Sequence, residues 1–197
     1  QNAWPGSANR LLGRWAHRVY LGYPEAATAF PGRKCLVTGN PVRAAFRSDR
    51  TAPGAATRSS RSLRLLLFGG SRGARTLNRA AREAATLWRA REEWELVVQT
   101  GAEEREAVAA AFAGWPPGRV RVETYVDDMP AALAWADLAV CRAGAMTLAE
   151  LAAAGKPAIL VPFPHATDDH QRRNAEAVAA AGAAVVLADD ACDGPRL

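Results

Sequence analysis

From residue 63 onward the chain repeatedly exchanges a short apolar run for a helix-patterned stretch, and this exchange limits its fold more than any other feature. The runs fall at 63–68, 96–98, 120–122, 138–141, 158–161 and 184–187, each of strand length. Between them, at 74–90, 103–112, 129–135, 147–154 and 171–181, Ala and Leu recur at three-to-four spacing. Continuous apolar runs suit strands buried on both faces, and parallel strands require helical crossovers of one hand. The pattern therefore predicts an α/β fold, a doubly wound parallel sheet of Rossmann-like type, with its ligand at the carboxyl ends of the strands.

The first part of the chain reads differently. From Ser7, a candidate N-cap, Leu11, Leu12, Trp15, Ala16 and Val19 recur at helical spacing, with Arg10, Arg14 and Arg18 on another face. This predicts an amphipathic helix over 7–19. Its basic side is read first as a solvated surface and second as a contact with anionic lipid. Two extended pieces at 19–22 and 35–37 flank a turn opened by Pro24, and the loop Gly39-Asn40-Pro41-Val42-Arg43 marks a junction. Residues 1–40 are thus expected to finish an N-terminal domain and 41–197 to form a second. The small and polar stretch at about 47–61 should be an exposed connection.

Composition narrows the function classes. The 197 residues, 49% hydrophobic and 23% charged, suffice for one full core. The net charge of +5 comes from dispersed arginines rather than one block, so no nucleic-acid partner is expected. Cys35, Cys141 and Cys192 have neither zinc-ligand nor disulfide-framework spacing, which suits a reducing cytoplasm. No apolar run approaches the ~20 residues of a membrane span. The chain starts on Gln1 rather than Met and stops on Leu197 soon after a strand, so an excerpt of a longer protein is expected.

The chemistry concentrates at two turns. The run 63–68 leads into Gly69-Gly70-Ser71-Arg72-Gly73-Ala74-Arg75 and then a helix, an arrangement that gathers backbone N–H groups and a positive dipole end around an anion. Ser71 occupies the place of the second glycine of a dinucleotide fingerprint and no Gly-Lys-Ser/Thr follows, which argues against NAD and ATP loops. A turn serving only strand-to-helix packing is the plainer reading. The run 138–141 leads into a second turn, Arg142-Ala143-Gly144-Ala145-Met146-Thr147, and two such turns suit a diphosphate.

Thr147 and Glu150 fit a capping box, or Glu150 accepts hydrogen bonds from ribose hydroxyls. Asp128, just ahead of Met129-Pro130, reads as a helix cap, and Asp168 and Asp169 are read the same way. No metal ligand set is expected at these aspartates or at His165. His170, Gln171 and Asn174 open the last helix and offer polar groups suited to sugar hydroxyls.

Together, Gln1-Asn2-Ala3, Gly39-Asn40-Pro41-Val42-Arg43, the turn from Gly69 through Leu77-Asn78, Cys141 through Thr147, and Asp168-Asp169-His170-Gln171-x-x-Asn174-Ala175 resemble, in order, the motifs of the MurG family. These are UDP-N-acetylglucosamine:undecaprenyl-pyrophosphoryl-muramyl-pentapeptide N-acetylglucosaminyltransferases. The resemblance implies a two-domain GT-B fold and inverting transfer of N-acetylglucosamine to lipid I, giving lipid II, with no cofactor or metal, by a peripheral enzyme on the cytoplasmic face of the membrane. Carried over, Ser71 faces the UDP phosphates and the Val126 backbone faces the uracil. Ala145, Met146 and Thr147 face the diphosphate and sugar, with Leu148 and Ala149 continuing the same turn to Glu150 at the ribose. Gln171 holds the sugar hydroxyls, while Asn2 and Arg43 border the donor from across the cleft.

Two departures stand out. Arg72 replaces the family's usual glutamine, and the family's glycine-rich loop with its acceptor-facing histidine has no counterpart in these residues. The catalytic base is therefore expected outside them, and donor binding without transfer is the expected behaviour. The rival readings are a non-catalytic nucleotide-sugar-binding module, a GT-B transferase with another UDP-sugar, and, weakly, a dinucleotide-dependent oxidoreductase.

Overall fold

The computed structural model describes residues 1–30, 32, 34–47, 63–70 and 73–197. Ser71, Arg72 and nearly all of the expected connection at 47–61 lie outside the described residues. Six strands form one parallel sheet: β3 (Leu63–Phe68), β4 (Trp94–Gln99), β5 (Val120–Glu123), β6 (Leu138–Cys141), β7 (Ala158–Leu160) and β8 (Ala184–Val186). Before them, β1 (Val19–Leu21) and β2 (Cys35–Val37) form a separate parallel pair around a 3-10 turn at Pro24–Ala29.

The sheet order is β5-β4-β3-β6-β7-β8, so the chain starts in the middle, winds to one edge, returns and winds to the other. The helices follow this route: α2 (Arg75–Trp88) and α3 (Arg105–Ala111), then α4 (Met129–Trp135), α5 (Ala145–Ala154) and α6 (His170–Ala180). The period-two alternation of a strand sorts the core into two layers. Leu65, Leu67, Leu96, Val98 and Val140 pack with Leu77, Trp88 and Val108 of α2 and α3. Leu66, Phe68, Val97, Ala139 and Cys141 pack with Leu133, Leu148, Leu151 and Ala175 of α4, α5 and α6. Ala80, Ala81, Ala84 and Ala85 give α2 a fully buried small-residue face, so its axis lies close against the sheet. Burial also pushes the Cys141 thiol far above its ordinary range and the Cys192 thiol up to about 11, so both behave as small apolar groups.

Helix ends follow local chemistry. Asp128 caps α4, its Oδ1 accepting from Ala131 N at 3.0 Å, with Pro130 in the first turn. Gly155 closes α5 with φ +63°, and Lys156 N donates to Leu151 O at 3.0 Å, the pattern of a Schellman stop. Lys156 Nζ then donates to the Ala134 and Ala136 carbonyls, tying off α4 from outside.

The first helix departs from expectation. α1 spans only Ser7–Leu12, with Gly6 rather than Ser7 at the N-cap. At Gly13 the Phe30 ring sits where a side chain would go, 2.5 Å from an added Cβ, and the chain turns aside there. Leu11, Leu12 and Trp15 point outward, Trp15 being 71% exposed. Past the loop at 39–43, Phe46 is buried and Val42 packs on the α4–α5–α6 layer.

Leu66 is fully buried at the centre of the sheet. Leu66→Ala is expected to lower unfolding free energy by about 2–5 kcal/mol in urea titrations, through lost burial and the cavity left behind.

Candidate functional site

The site begins with the pairing of two strands that are far apart in sequence. β3 and β6 lie side by side in parallel, with Phe68 opposite Cys141 at their carboxyl ends. This is where the sheet order reverses, the position at which open α/β sheets bind ligands. The turn after β3 leads into α2 and the turn after β6 into α5, so two helix N-termini open into one crevice.

Neither helix start is capped by a side chain. Ala74 and Gly144 are the N-caps, and the first intrahelical bonds run from Asn78 N to Ala74 O and from Leu148 N to Gly144 O. The N–H groups of Ala145, Met146 and Thr147 therefore have no intrahelical acceptor, which is the condition for binding an anion. The expected Thr147–Glu150 capping box does not form, because the helix starts two residues earlier than the sequence pattern indicated and Thr147 lies inside its first turn. The first turn is tightly built. A Cβ on Gly73, whose φ is +73°, would fall 1.9 Å from Thr100 O, and one on Gly69 would meet Ala74.

The opposite wall comes from the first residues and the junction loop. Asn40 Nδ2 donates to Gln1 O at 2.9 Å and to Ala145 O at 3.4 Å, and Gln1 Nε2 reaches Met146 Sδ at 3.6 Å. Asn174 on α6 is completely buried: its Oδ1 accepts from Ala3 N at 2.8 Å and its Nδ2 donates to Asn2 Oδ1 and Ala143 O. With every amide atom spent inside the protein, Asn174 is a fastening between the N-terminal segment and the second turn rather than a sugar contact. Among the described residues the Asn2 amide N–H groups have no hydrogen-bond acceptor, its Oδ1 being taken by Asn174.

Gln171 Oε1 accepts from Ala143 N at 3.2 Å and from Phe163 N at 3.0 Å. Its amide is thereby fixed in orientation, and what it offers a sugar is donors. Leu148 is buried in the core and its N–H donates to Gly144 O, while Ala149 sits half-buried one residue on. Burial pushes the Glu150 carboxyl up from the usual carboxylate range, and the Arg43 guanidinium nearby draws it partly back. Arg43 itself stacks over Phe46, 5.0 Å from the ring centroid.

Three residues at the site were not singled out as positioning groups from sequence. Arg142 donates to Val161 O and Pro162 O and pairs with Asp189, whose other oxygen accepts from Thr76 Oγ1 at 3.1 Å. That chain braces the first turn of α2 against the start of α5. Gln99, 2% exposed, donates from Nε2 to Gly70 O at 2.7 Å and accepts at Oε1 from Val126 N at 3.0 Å. Asn78 donates to Thr100 O at 2.8 Å and to Glu104 Oε2 at 2.6 Å. The available signal was a polar residue ending an apolar strand or interrupting a helix's apolar face. Asp169 makes no cap: it and Asp168 hold φ values of 52° and 55°, and its carboxylate pairs with Arg172. These consecutive left-handed residues carry the chain sharply into α6.

Both the sequence and the fold have known counterparts. The glycosyltransferase family 28 C-terminal domain matches residues 64–197. A Nitratidesulfovibrio vulgaris protein named UDP-N-acetylglucosamine--N-acetylmuramyl-(pentapeptide) pyrophosphoryl-undecaprenol N-acetylglucosamine transferase is 47% identical over 195 residues, covering 95% of this chain and 50% of that relative. One of the same name from Syntrophotalea carbinolica is 48% identical over 193 residues, 95% of this chain and 51% of its own. The crystal structure of Acinetobacter baumannii MurG superposes with a TM-score of 0.76 at 32% identity, over 99% of this chain and 54% of that one. The chain spans about half the length of the curated relatives it matches.

Gly73→Ala is expected to cost more than Gly70→Ala in thermal unfolding. Both substitutions impose a left-handed backbone on alanine, at about 1–2 kcal/mol each. Only the first also drives a Cβ into the Thr100 carbonyl.

Proposed function

The chain belongs to the family of the glycosyltransferase family 28 C-terminal domain, and from that premise we propose that it is the donor-binding half of an N-acetylglucosaminyltransferase of peptidoglycan synthesis. The donor is UDP-N-acetylglucosamine and the acceptor is lipid I. The observation that carries the reading is the meeting of two uncapped helix N-termini, α2 and α5, at the switch point between β3 and β6. Their N–H groups bind the pyrophosphate and stabilise the charge that UDP carries away as the glycosidic bond breaks. Ser71 adds a hydroxyl donor to the same phosphates. Glu150 accepts from the ribose hydroxyls, the Gln171 amide donates to the sugar, Val126 meets the uracil, and Asn2 and Arg43 close the pocket from the other side.

The reaction is an inverting displacement. An acceptor hydroxyl, deprotonated by a general base, forms the new bond to the anomeric carbon on the face opposite the departing UDP, which leaves with the bonding electron pair. The base and the acceptor pocket are assigned to the part of the relatives' length that this chain does not span. Residues 1–40 are assigned to that acceptor domain, as the exposure of Tyr20, Leu36 and Val37 on β1 and β2 supports, since parallel sheets are ordinarily covered on both faces. The enzyme is peripheral, at the cytoplasmic membrane face. No helix of the described residues is long and apolar enough to cross a membrane, and the outward Leu11, Leu12 and Trp15 beside Arg10, Arg14 and Arg18 suit an anionic lipid surface.

Thermal unfolding tests the donor assignment. UDP-N-acetylglucosamine should raise the melting temperature of the chain, UDP-glucose and UDP-N-acetylgalactosamine should do so less, and NAD should leave it unchanged; a shift with NAD alone overturns the reading. Glu150→Gln should weaken UDP binding by about 10–100-fold, the worth of hydrogen bonds to a charged group. Because the folded-state carboxyl is raised, the stability it contributes is lost as pH rises through its folded pKa. The ligand-free Gln variant should therefore be no less stable than the parent at neutral pH, which separates lost binding from lost fold.

A further inference from the structure

Resting on the donor assignment above, we propose that Arg142 is a positioning residue that keeps the crevice attractive to a diphosphate by holding and neutralising the Asp189 carboxylate beside the start of α2. The two groups come from different strands: Arg142 directly follows β6 and Asp189 lies just past β8, with β7 between them. Asp189 Oδ2 accepts from Thr76 Oγ1 at 3.1 Å, and Thr76 is the second residue of α2. The carboxylate therefore sits one side chain away from a helix start whose free N–H groups the donor assignment gives to phosphate.

That placement creates a conflict. A carboxylate beside a helix N-terminus is favoured by the dipole, so Asp189 steadies α2. The same charge repels any second anion that arrives at the same helix start. With its side chain only 22% exposed, water screens it poorly and the repulsion reaches further than it would at an open surface.

Arg142 resolves the conflict. Its Nη1 donates to the other carboxylate oxygen, Oδ1, and also to Val161 O at 3.1 Å and Pro162 O at 3.3 Å, just past β7. The guanidinium lies over the Phe163 ring, 5.5 Å from its centroid, and the side chain is 13% exposed. These partners commit the guanidinium inside the protein, so it acts on the ligand through Asp189, turning a lone anion into a neutral pair. Among the described residues Arg142 is the cation paired with Asp189; Arg79, one turn further along α2, is engaged with Glu83 and the Cys192 carbonyl.

The test is calorimetric titration of the chain, of Arg142→Met, of Asp189→Asn and of the double variant with inorganic pyrophosphate and with UDP, alongside thermal unfolding of each. Arg142→Met leaves the carboxylate unneutralised and should weaken both ligands by about tenfold or more, as truncating one partner of a partly buried charge pair does. Asp189→Asn keeps an acceptor for Thr76, removes the negative charge and leaves the positive one, so it should bind both ligands at least as tightly as the parent. The double variant should return to within about threefold of the parent, because the charge that Arg142 cancels is gone. If the pair were only a mechanical brace, Asp189→Asn would weaken binding as well and the double variant would do no better than Arg142→Met; either result overturns the proposal. Should Arg142→Met fail to fold, the direction of the change in Asp189→Asn decides alone. A parent that binds neither pyrophosphate nor UDP overturns the donor assignment itself, whereas a parent that binds both and is weakened by Asp189→Asn overturns only the role of Arg142.

Discussion

The parallel pairing of β3 with β6 is the constraint on which the rest depends. These strands are separated in the chain by two complete strand-and-helix units, yet their carboxyl ends finish level, Phe68 against Cys141. Because the sheet order reverses there, the helices that follow lie on opposite faces, and their starts diverge around a gap instead of packing together. Two sets of unpaired backbone N–H groups are thereby aimed at one place. Each helix end alone contributes about 0.3–1 kcal/mol to an anion when exposed. The two together offer an anion more than either alone.

Side chains then fix the gap without filling it. Arg142, through Asp189 and Thr76, braces one helix start against the other, and Gln99 spans from the first turn to Val126. On the far wall Asn174 fastens Asn2 and Ala3 to the second turn, so the opening residues of the chain border the site although 171 positions separate Ala3 from Asn174. Buried amides of this kind are costly when unpaired and therefore enforce one arrangement of the turns they join. The donor groups left over, on Gln171, Asn2 and the start of α5, are those that the proposed function assigns to the ligand.

Much of this was legible in sequence, and the rest was not, for physical reasons. The strands at 63–68 and 138–141 and the helix at 129–135 have their sequence-derived limits because apolar runs and the Asp-x-Pro start are local signals. The two turns were recognisable because glycine is required where backbones approach closely, as Gly73 does to Thr100. The helix expected over 7–19 stops at Leu12 because a contact with Phe30, distant in sequence, decides the path at Gly13. Thr147 looked like a cap because spacing cannot tell the first turn of a helix from the residue before it. Gln99, Arg142 and Asn174 stood out locally only as polar residues beside apolar ones: their partners come from separate parts of the chain and exist only once those strands and helices meet.

The most direct test of the two-helix crevice is an amide chemical-shift titration of isotope-labelled chain with UDP. The account predicts that the N–H resonances at the start of α2, from Gly73 to Thr76, and at the start of α5, from Ala145 to Thr147, move together along one binding curve. Shifts confined to one helix start, or centred away from the carboxyl ends of β3 and β6, would contradict it.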